Sequence, residues 1–86
     1  MTQYIPAAPS RRDIDLAVGI LVGLLGYSEH QAFDELVRVV YRTGGGITDV
    51  ARSLIAIAGG RHEDAPYRAE ALEIWGDAVH SRSVMV

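Results

Sequence analysis

Two arginines spaced one helical turn apart, Arg38 and Arg42, carry the strongest chemical signal in the chain. Tyr41 lies beside them in the sequence and Thr43 follows. Because residues three and four positions apart share one side of a helix, these guanidinium groups and the ring can meet phosphates and an unstacked base of RNA. The alternative is a solvated helix face on which Glu35 pairs with Arg38.

The charge balance limits such contacts to a local patch. The 86-residue chain has a net charge of −3, and all eight of its basic residues are arginine. Residues 11–58 contain five arginines and six acidic residues, and residues 59–86 contain three and five, so neither half is basic. General electrostatic attraction to nucleic acid is therefore not indicated. Arg52 joins the candidates because the start of its predicted helix offers backbone N–H donors to phosphate.

No residue pattern indicates catalysis, a metal or a cofactor. The three histidines lack metal-ligand spacing: His30, His62 and His80. Asp77, His80 and Ser81 lie too close together at one helix end to form a catalytic triad. The glycines at 44–46 lack the lysine and the serine or threonine of a phosphate-binding loop. We therefore expect no enzyme activity, no metal site and no cofactor.

Composition points to a folded domain in the cytoplasm. Apolar residues make up 49 % of the chain, which is typical of a globular protein. The absence of cysteine fits a reducing compartment. The longest apolar run, residues 16–25, is too short to span a membrane, and no signal-peptide pattern begins at Met1.

The first predicted helix begins at Ser10 as N-cap and ends before Gly26. Its first apolar stripe consists of Ile14, Ala17, Val18, Leu21 and Leu25. A second stripe beside it consists of Leu16, Ile20 and Leu24. A helix that is apolar on two sides is usually buried on two sides, which predicts a homodimer.

The second helix has a capping box, Ser28 with Gln31, and ends at Gly44. Its apolar face consists of Ala32, Phe33, Leu36, Val39 and Val40. This face predicts that Phe33 and Leu36 are buried against the neighbouring helices.

Two further segments complete the prediction. Thr48 is expected to cap a helix from Asp49 to about Ala58 that stops at Gly59. A fourth helix is expected from near Asp64, with Pro66 in its first turn, to about His80. Its apolar stripe consists of Ala71, Leu72, Trp75, Ala78 and Val79, and it packs on the bundle or on a second copy.

These segments predict an all-α protein in three parts. Residues 1–10 form a flexible arm, residues 11–58 a three-helix bundle, and residues 59–86 a C-terminal helical extension.

Four sequence segments in register resemble the ANTAR domain over about residues 14–54. They read A-x-G-I-L from Ala17, G-x-S from Gly26, A-F-x-x-L from Ala32 and D-V-A from Asp49. The resemblance implies a small three-helix module of a transcription antitermination regulator that binds stem-loop RNA.

Several positions depart from the family pattern. Val18 stands where the family usually has lysine, Val22 where it has methionine, and Val37 where it has arginine. The glycines at 44–46 replace an asparagine and a basic residue. Since polar residues at these positions are expected to meet RNA, the alternative is a dimerisation or protein-interaction module that has lost RNA binding.

The family pattern also implies a partner. ANTAR domains are usually attached to a receiver or GAF sensor domain, and a dimerising coiled coil precedes them. Neither fits before Arg11, so we expect any sensor to be a separate chain or to have been lost.

Overall fold

The computed structural model describes residues 8–59 and 65–84, with side chains described for residues 11–59 and 65–81. These residues form four helices and no strand: α1 (Ala8–Leu25), α2 (Glu29–Thr43), α3 (Ile47–Ala58) and α4 (Arg68–Val84). The predicted all-α class, a helical bundle with an added C-terminal helix, is confirmed. The predicted flexible arm lies mostly at residues 1–7, outside the described residues. The three-part division of the chain stays a prediction.

Local sequence chemistry sets both ends of α2. The hydroxyl of Ser28 accepts a hydrogen bond from the backbone N–H of Gln31 at 3.1 Å, and the Gln31 side chain accepts one from the backbone N–H of Ser28 at 2.9 Å. This reciprocal pair confirms the predicted capping box. At the other end Gly44 adopts φ 78°, and its N–H donates to the Val40 carbonyl at 2.8 Å. A left-handed glycine of this kind closes a helix at low steric cost.

The predicted starts of α1 and α3 differ from the structure. Helix α1 begins at Ala8, so Ser10 lies inside the helix and is not its N-cap. Helix α3 begins at Ile47, with Gly46 as the N-cap in extended conformation, so Thr48 is not a cap. A glycine is an acceptable N-cap even without a side-chain acceptor, and the hydroxyl pattern therefore misled the prediction.

The fourth helix also differs from its prediction at both ends. Pro66 lies in a turn that precedes α4, and the helix continues past His80 to Val84. The segment around Asp64, where this helix was expected to start, lies outside the described residues.

The core forms around α3, which contacts all three of the other helices. Its apolar members are Ala17, Leu21, Ala32, Leu36, Val39, Val50, Ala51, Leu54, Ile57, Ala71 and Trp75. Trp75 is only 2 % exposed, so α4 packs on its own chain through this side chain. The tryptophan therefore belongs to the monomer core and is not a surface for a second copy.

Two expectations about apolar faces are wrong. Phe33 is 43 % exposed, although Leu36 on the same predicted face is fully buried. Phe33 lies at the edge of that face, beside α1, where Val18 and Gly19 leave an open groove. Leu72 of α4 is also exposed, since the core reaches only the side of that helix with Ala71 and Trp75.

Helix α1 presents apolar surface to solvent as well as to the core. Leu16 is 51 % exposed and Leu25 is also exposed, whereas Ala17 and Leu21 are fully buried. Within the described ranges, no helix has the length and apolar character needed to cross a bilayer.

Candidate nucleic-acid interface

The C-terminal half of α2 exposes three of the predicted contact residues together. Because Leu36 and Val39 are fixed in the core, helical spacing turns Arg38, Tyr41 and Arg42 outward. Tyr41 is 83 % exposed and both arginines are exposed. We call Arg38, Tyr41 and Arg42 the α2 strip. It offers an aromatic face and two guanidinium groups on one side of a rigid helix.

Arg38 is engaged by an acidic neighbour. Its guanidinium donates to the Oε1 atom of Glu35 at 2.8 Å. This hydrogen bond, and then the negative charge of Glu35, raise the pKa of Arg38 above its ordinary value. The pair predicted as the alternative to RNA contact is therefore present, and Arg38 is available to another anion only in competition with Glu35.

Glu35 has a second partner that links it to α4. The indole Nε1 of Trp75 donates to Glu35 Oε2 at 3.0 Å, and the Glu35 side chain is only 10 % exposed. The two carboxylate oxygens thus serve different donors, one in the core and one on the surface. A buried indole N–H needs a hydrogen-bond acceptor. Glu35 and Trp75 lie 40 residues apart in the sequence, so no local pattern could indicate that they pair.

Arg42 is the cation of the α2 strip that keeps its charge uncompensated. Among the residues that the structure describes, it forms no ion pair. It also lies in the last turn of α2, where a positive charge is favourable beside the free carbonyls of the helix end.

Thr43 is turned into the end of the helix. Its hydroxyl donates to the Val39 carbonyl at 2.9 Å and accepts from the Gly45 N–H at 3.2 Å. These bonds brace the α2–α3 connection. Its role in RNA contact stays a prediction.

Arg52 lies apart from the α2 strip, on α3. Its Nε donates to Asp13 Oδ2 of α1 at 3.3 Å, so it joins α1 and α3 on the surface. It is the sixth residue of α3 and therefore lies beyond the first turn, where free N–H groups occur. The structure brings three of the five predicted residues onto one surface and places Thr43 and Arg52 in structural contacts.

The glycine connection at 44–46 is covered on one side by the segment that enters α4. A Cβ atom added at Gly45 would overlap the ring of Tyr67. The expected connection is present, but at Gly45 it packs against an aromatic ring and is not an open tip. Close approach of this ring is a physical reason for glycine at this position.

Ser53 of α3 forms a hydrogen bond with the same segment, at Tyr67. This fully buried hydroxyl donates to the Asp49 carbonyl at 2.9 Å and accepts from the Tyr67 N–H at 3.0 Å. Sequence reasoning missed the role of Ser53, although a serine within the apolar face of a predicted helix is a usable signal, since buried hydroxyls need partners.

Two open grooves flank α2. One has a volume of about 290 Å³ and lies beside the strip, lined by Tyr27, Gln31, Asp34, Glu35 and Arg38. The other, of about 500 Å³, lies between α1 and α2. In the described part of the chain, no cluster of His, Asp or Glu is suited to hold a metal ion. The Nε2 atom of His30 lies 3.5 Å from Asp34 Oδ2.

Comparison with protein families identifies the bundle. The family model of the ANTAR domain matches residues 6–55, which includes α1, α2 and most of α3. No curated protein and no solved structure gave a significant match. ANTAR domains are known as RNA-binding domains of antitermination regulators. Since the match covers more than half of the chain, this protein belongs to the ANTAR family.

Proposed function

We propose that the protein binds a structured, stem-loop RNA through the α2 strip and thereby prevents formation of a transcription terminator. The observation that carries this proposal is the 83 % exposure of Tyr41 between two exposed arginines, in a member of an RNA-binding family. Exposed tyrosine beside arginine is the composition expected where a base stacks and its phosphates are neutralised.

Each residue of the α2 strip has a distinct role in this proposal. Arg42 neutralises a phosphate, because no described acidic side chain competes for it. Tyr41 stacks on an unpaired loop base, which contributes about 1 to 3 kcal/mol per base. Arg38 adds a second phosphate contact only when it leaves Glu35. Binding groups of this kind position RNA and perform no chemistry on it.

The distribution of charge on α2 sets the direction from which RNA approaches. Glu29, Asp34 and Glu35 lie in the N-terminal half of the helix, whereas Arg38 and Arg42 lie in the C-terminal half. Phosphates are therefore repelled by the first half and attracted by the second. With one free and one engaged arginine, binding releases few counterions and depends only moderately on salt.

The proposal also includes a homodimer, a separate sensor or signalling protein, and action in the cytoplasm where transcripts are made. A dimer supports it because two α2 strips can engage two loops of one transcript. Linked sites of this kind raise the overall affinity without any new contact in either copy.

Titration of the whole chain with a hexaloop stem-loop RNA, at about 50 and about 200 mM salt, tests the proposal. We expect Tyr41→Ala and Arg42→Ala to weaken binding about tenfold each, and Arg42→Ala to lower the salt dependence by about one counterion. Ala69→Glu is the matched control. It changes net charge by the same amount as Arg42→Ala, at an exposed position of α4. Absence of binding at low salt by the folded wild type would disprove the proposal.

A protein-interaction module that has lost RNA binding is the second candidate. Helices α1, α2 and α3 carry five exposed arginines. Two of them are already used in ion pairs: Arg38 with Glu35 and Arg52 with Asp13. The glycine connection also supplies no side chain to read a base. The same titration separates the two functions.

A further inference from the structure

The side of α1 that points away from the core leaves apolar surface uncovered by the described chain. Arg12, Leu16, Gly19 and Gly23 are spaced four, three and four residues apart, which places them on one face of the helix. All four are exposed. We call these four residues the α1 face.

The open groove between α1 and α2 continues this surface. It has a volume of about 500 Å³ and is lined by Val18, Gly19, Val22 and Phe33, with Asp15 and Glu29 also on its wall. Phe33 is 43 % exposed there. Together the α1 face and the groove form a surface whose apolar members are Leu16, Val18, Val22 and Phe33. Open apolar surface of this kind marks interaction sites on small domains.

The two glycines allow a close approach to this surface. A Cβ atom added at Gly19 or at Gly23 would meet nothing within 4 Å. The helix backbone is therefore bordered there by open space, and a second helix can pack against it with a short distance between axes.

The two ends of this surface differ in charge. Arg11 and Arg12 are exposed near the N-terminal end of α1, where they outnumber the exposed Asp15. Since residues 26–28 reverse the chain, exposed Glu29 lies at the opposite end, where α2 begins. Among the described residues, Arg11, Arg12, Asp15 and Glu29 form no ion pair. The surface thus runs from an end with a net positive charge, through a mainly apolar centre, to a negative end.

We propose that this surface binds the same surface of a second copy of the chain, with the two α1 helices antiparallel. A two-fold axis near the two glycines places Arg12 of each copy beside Glu29 of the other. Leu16 and Phe33 of both copies then close the apolar centre. A parallel arrangement would instead bring like charges together at both ends. This interface goes beyond the proposed RNA function, because it uses no residue of the α2 strip and holds whether or not RNA binds.

The apolar part of the interface is tested by sedimentation equilibrium of the whole chain over a concentration series. We expect the wild type to be a dimer and Leu16→Glu to be a folded monomer by circular dichroism. Leu72→Glu is the control, since it introduces the same charge at another exposed leucine, on α4. A monomeric wild type, or a dimer lost in Leu72→Glu and kept in Leu16→Glu, would overturn the proposal.

Charge reversal tests the antiparallel orientation. Arg12→Glu and Glu29→Arg should each weaken the dimer about tenfold, because each creates like-charge contacts at both symmetric ends. The double variant Arg12→Glu/Glu29→Arg should restore the wild-type dissociation constant. In a parallel dimer, each residue meets its own copy, so like charges meet at both ends in the wild type, in the single variants and in the double variant. Neither single variant would then weaken association. That result would refute the antiparallel interface.

Discussion

The indole N–H of Trp75 donates to a carboxylate oxygen of Glu35 at 3.0 Å, while the other oxygen of Glu35 accepts from Arg38 at 2.8 Å. One side chain thus connects the core contact of α4 to the α2 strip. Helix α4 positions Glu35, and Glu35 in turn restrains the guanidinium of Arg38.

Glu35→Gln should increase RNA affinity several-fold if RNA binds at the α2 strip. The amide oxygen can still accept from Trp75, but the charge that competes with phosphate for Arg38 is gone. The salt dependence should rise by about one counterion, as measured by titration at two salt concentrations. Asp34→Asn is the control, because it removes the same charge one residue away and leaves Arg38 paired. Equal effects of the two variants would mean that release of Arg38 plays no part.

Gly45→Ala should destabilise the protein by about 1 to 3 kcal/mol, since the added methyl group overlaps the ring of Tyr67. The free energy of unfolding in urea measures this change. Gly46→Ser is the matched control one residue away. A Cβ atom there meets nothing within 4 Å, and a serine at this N-cap should be neutral or stabilising. Tyr67→Ala should remove most of the difference between the two variants, and a persistent difference would contradict this explanation.

Leu36→Ala should cost about 2 to 5 kcal/mol, whereas Phe33→Ala should cost less, although phenylalanine is the larger side chain. The order follows from burial, because Leu36 is fully buried and Phe33 keeps 43 % of its surface in solvent. Urea unfolding at low protein concentration, where a dimer dissociates, measures both values. A greater loss for Phe33→Ala would show that this ring belongs to the monomer core.

Ser53→Ala should cost about 1 to 3 kcal/mol, because the Tyr67 N–H loses the hydroxyl that accepts from it. Ser81→Ala, at an exposed position of α4, should have little effect on unfolding. Faster amide hydrogen exchange at Tyr67 in the Ser53 variant would locate the loss at the entry to α4. Unchanged exchange there would contradict the assigned role of Ser53.

Local chemistry made α2 the best predicted element. Ser28, Gln31 and Gly44 act on backbone groups within four residues, so their roles can be derived from spacing alone. The start of α3 was missed because Gly46 provides an N-cap without the hydroxyl that the prediction required. Residue type therefore indicated the start of a helix only where a side chain makes the capping bond.

Contacts between distant segments were less predictable. Helical periodicity placed Phe33 on the same broad face as Leu36, but the width of the covered area depends on the small residues of α1 beside it. The pairing of Trp75 with Glu35 and the position of Tyr67 on Gly45 depend on how α4 returns to the bundle. The three exposed members of the candidate site were predictable, whereas the engagement of Arg38 by a carboxylate tied to α4 was only one of two alternatives.

Tyr67 and Trp75 pack in or against the core, although they lie outside the segment that the family model matches. The family match ends at residue 55, inside α3, and both aromatic side chains lie beyond it. A fragment cut at that boundary would lose the Tyr67 ring that covers Gly45, the Tyr67 N–H that bonds to Ser53, and the Trp75 indole that bonds to Glu35. We therefore expect a stable fragment of this chain to extend through α4, beyond the end of the family match.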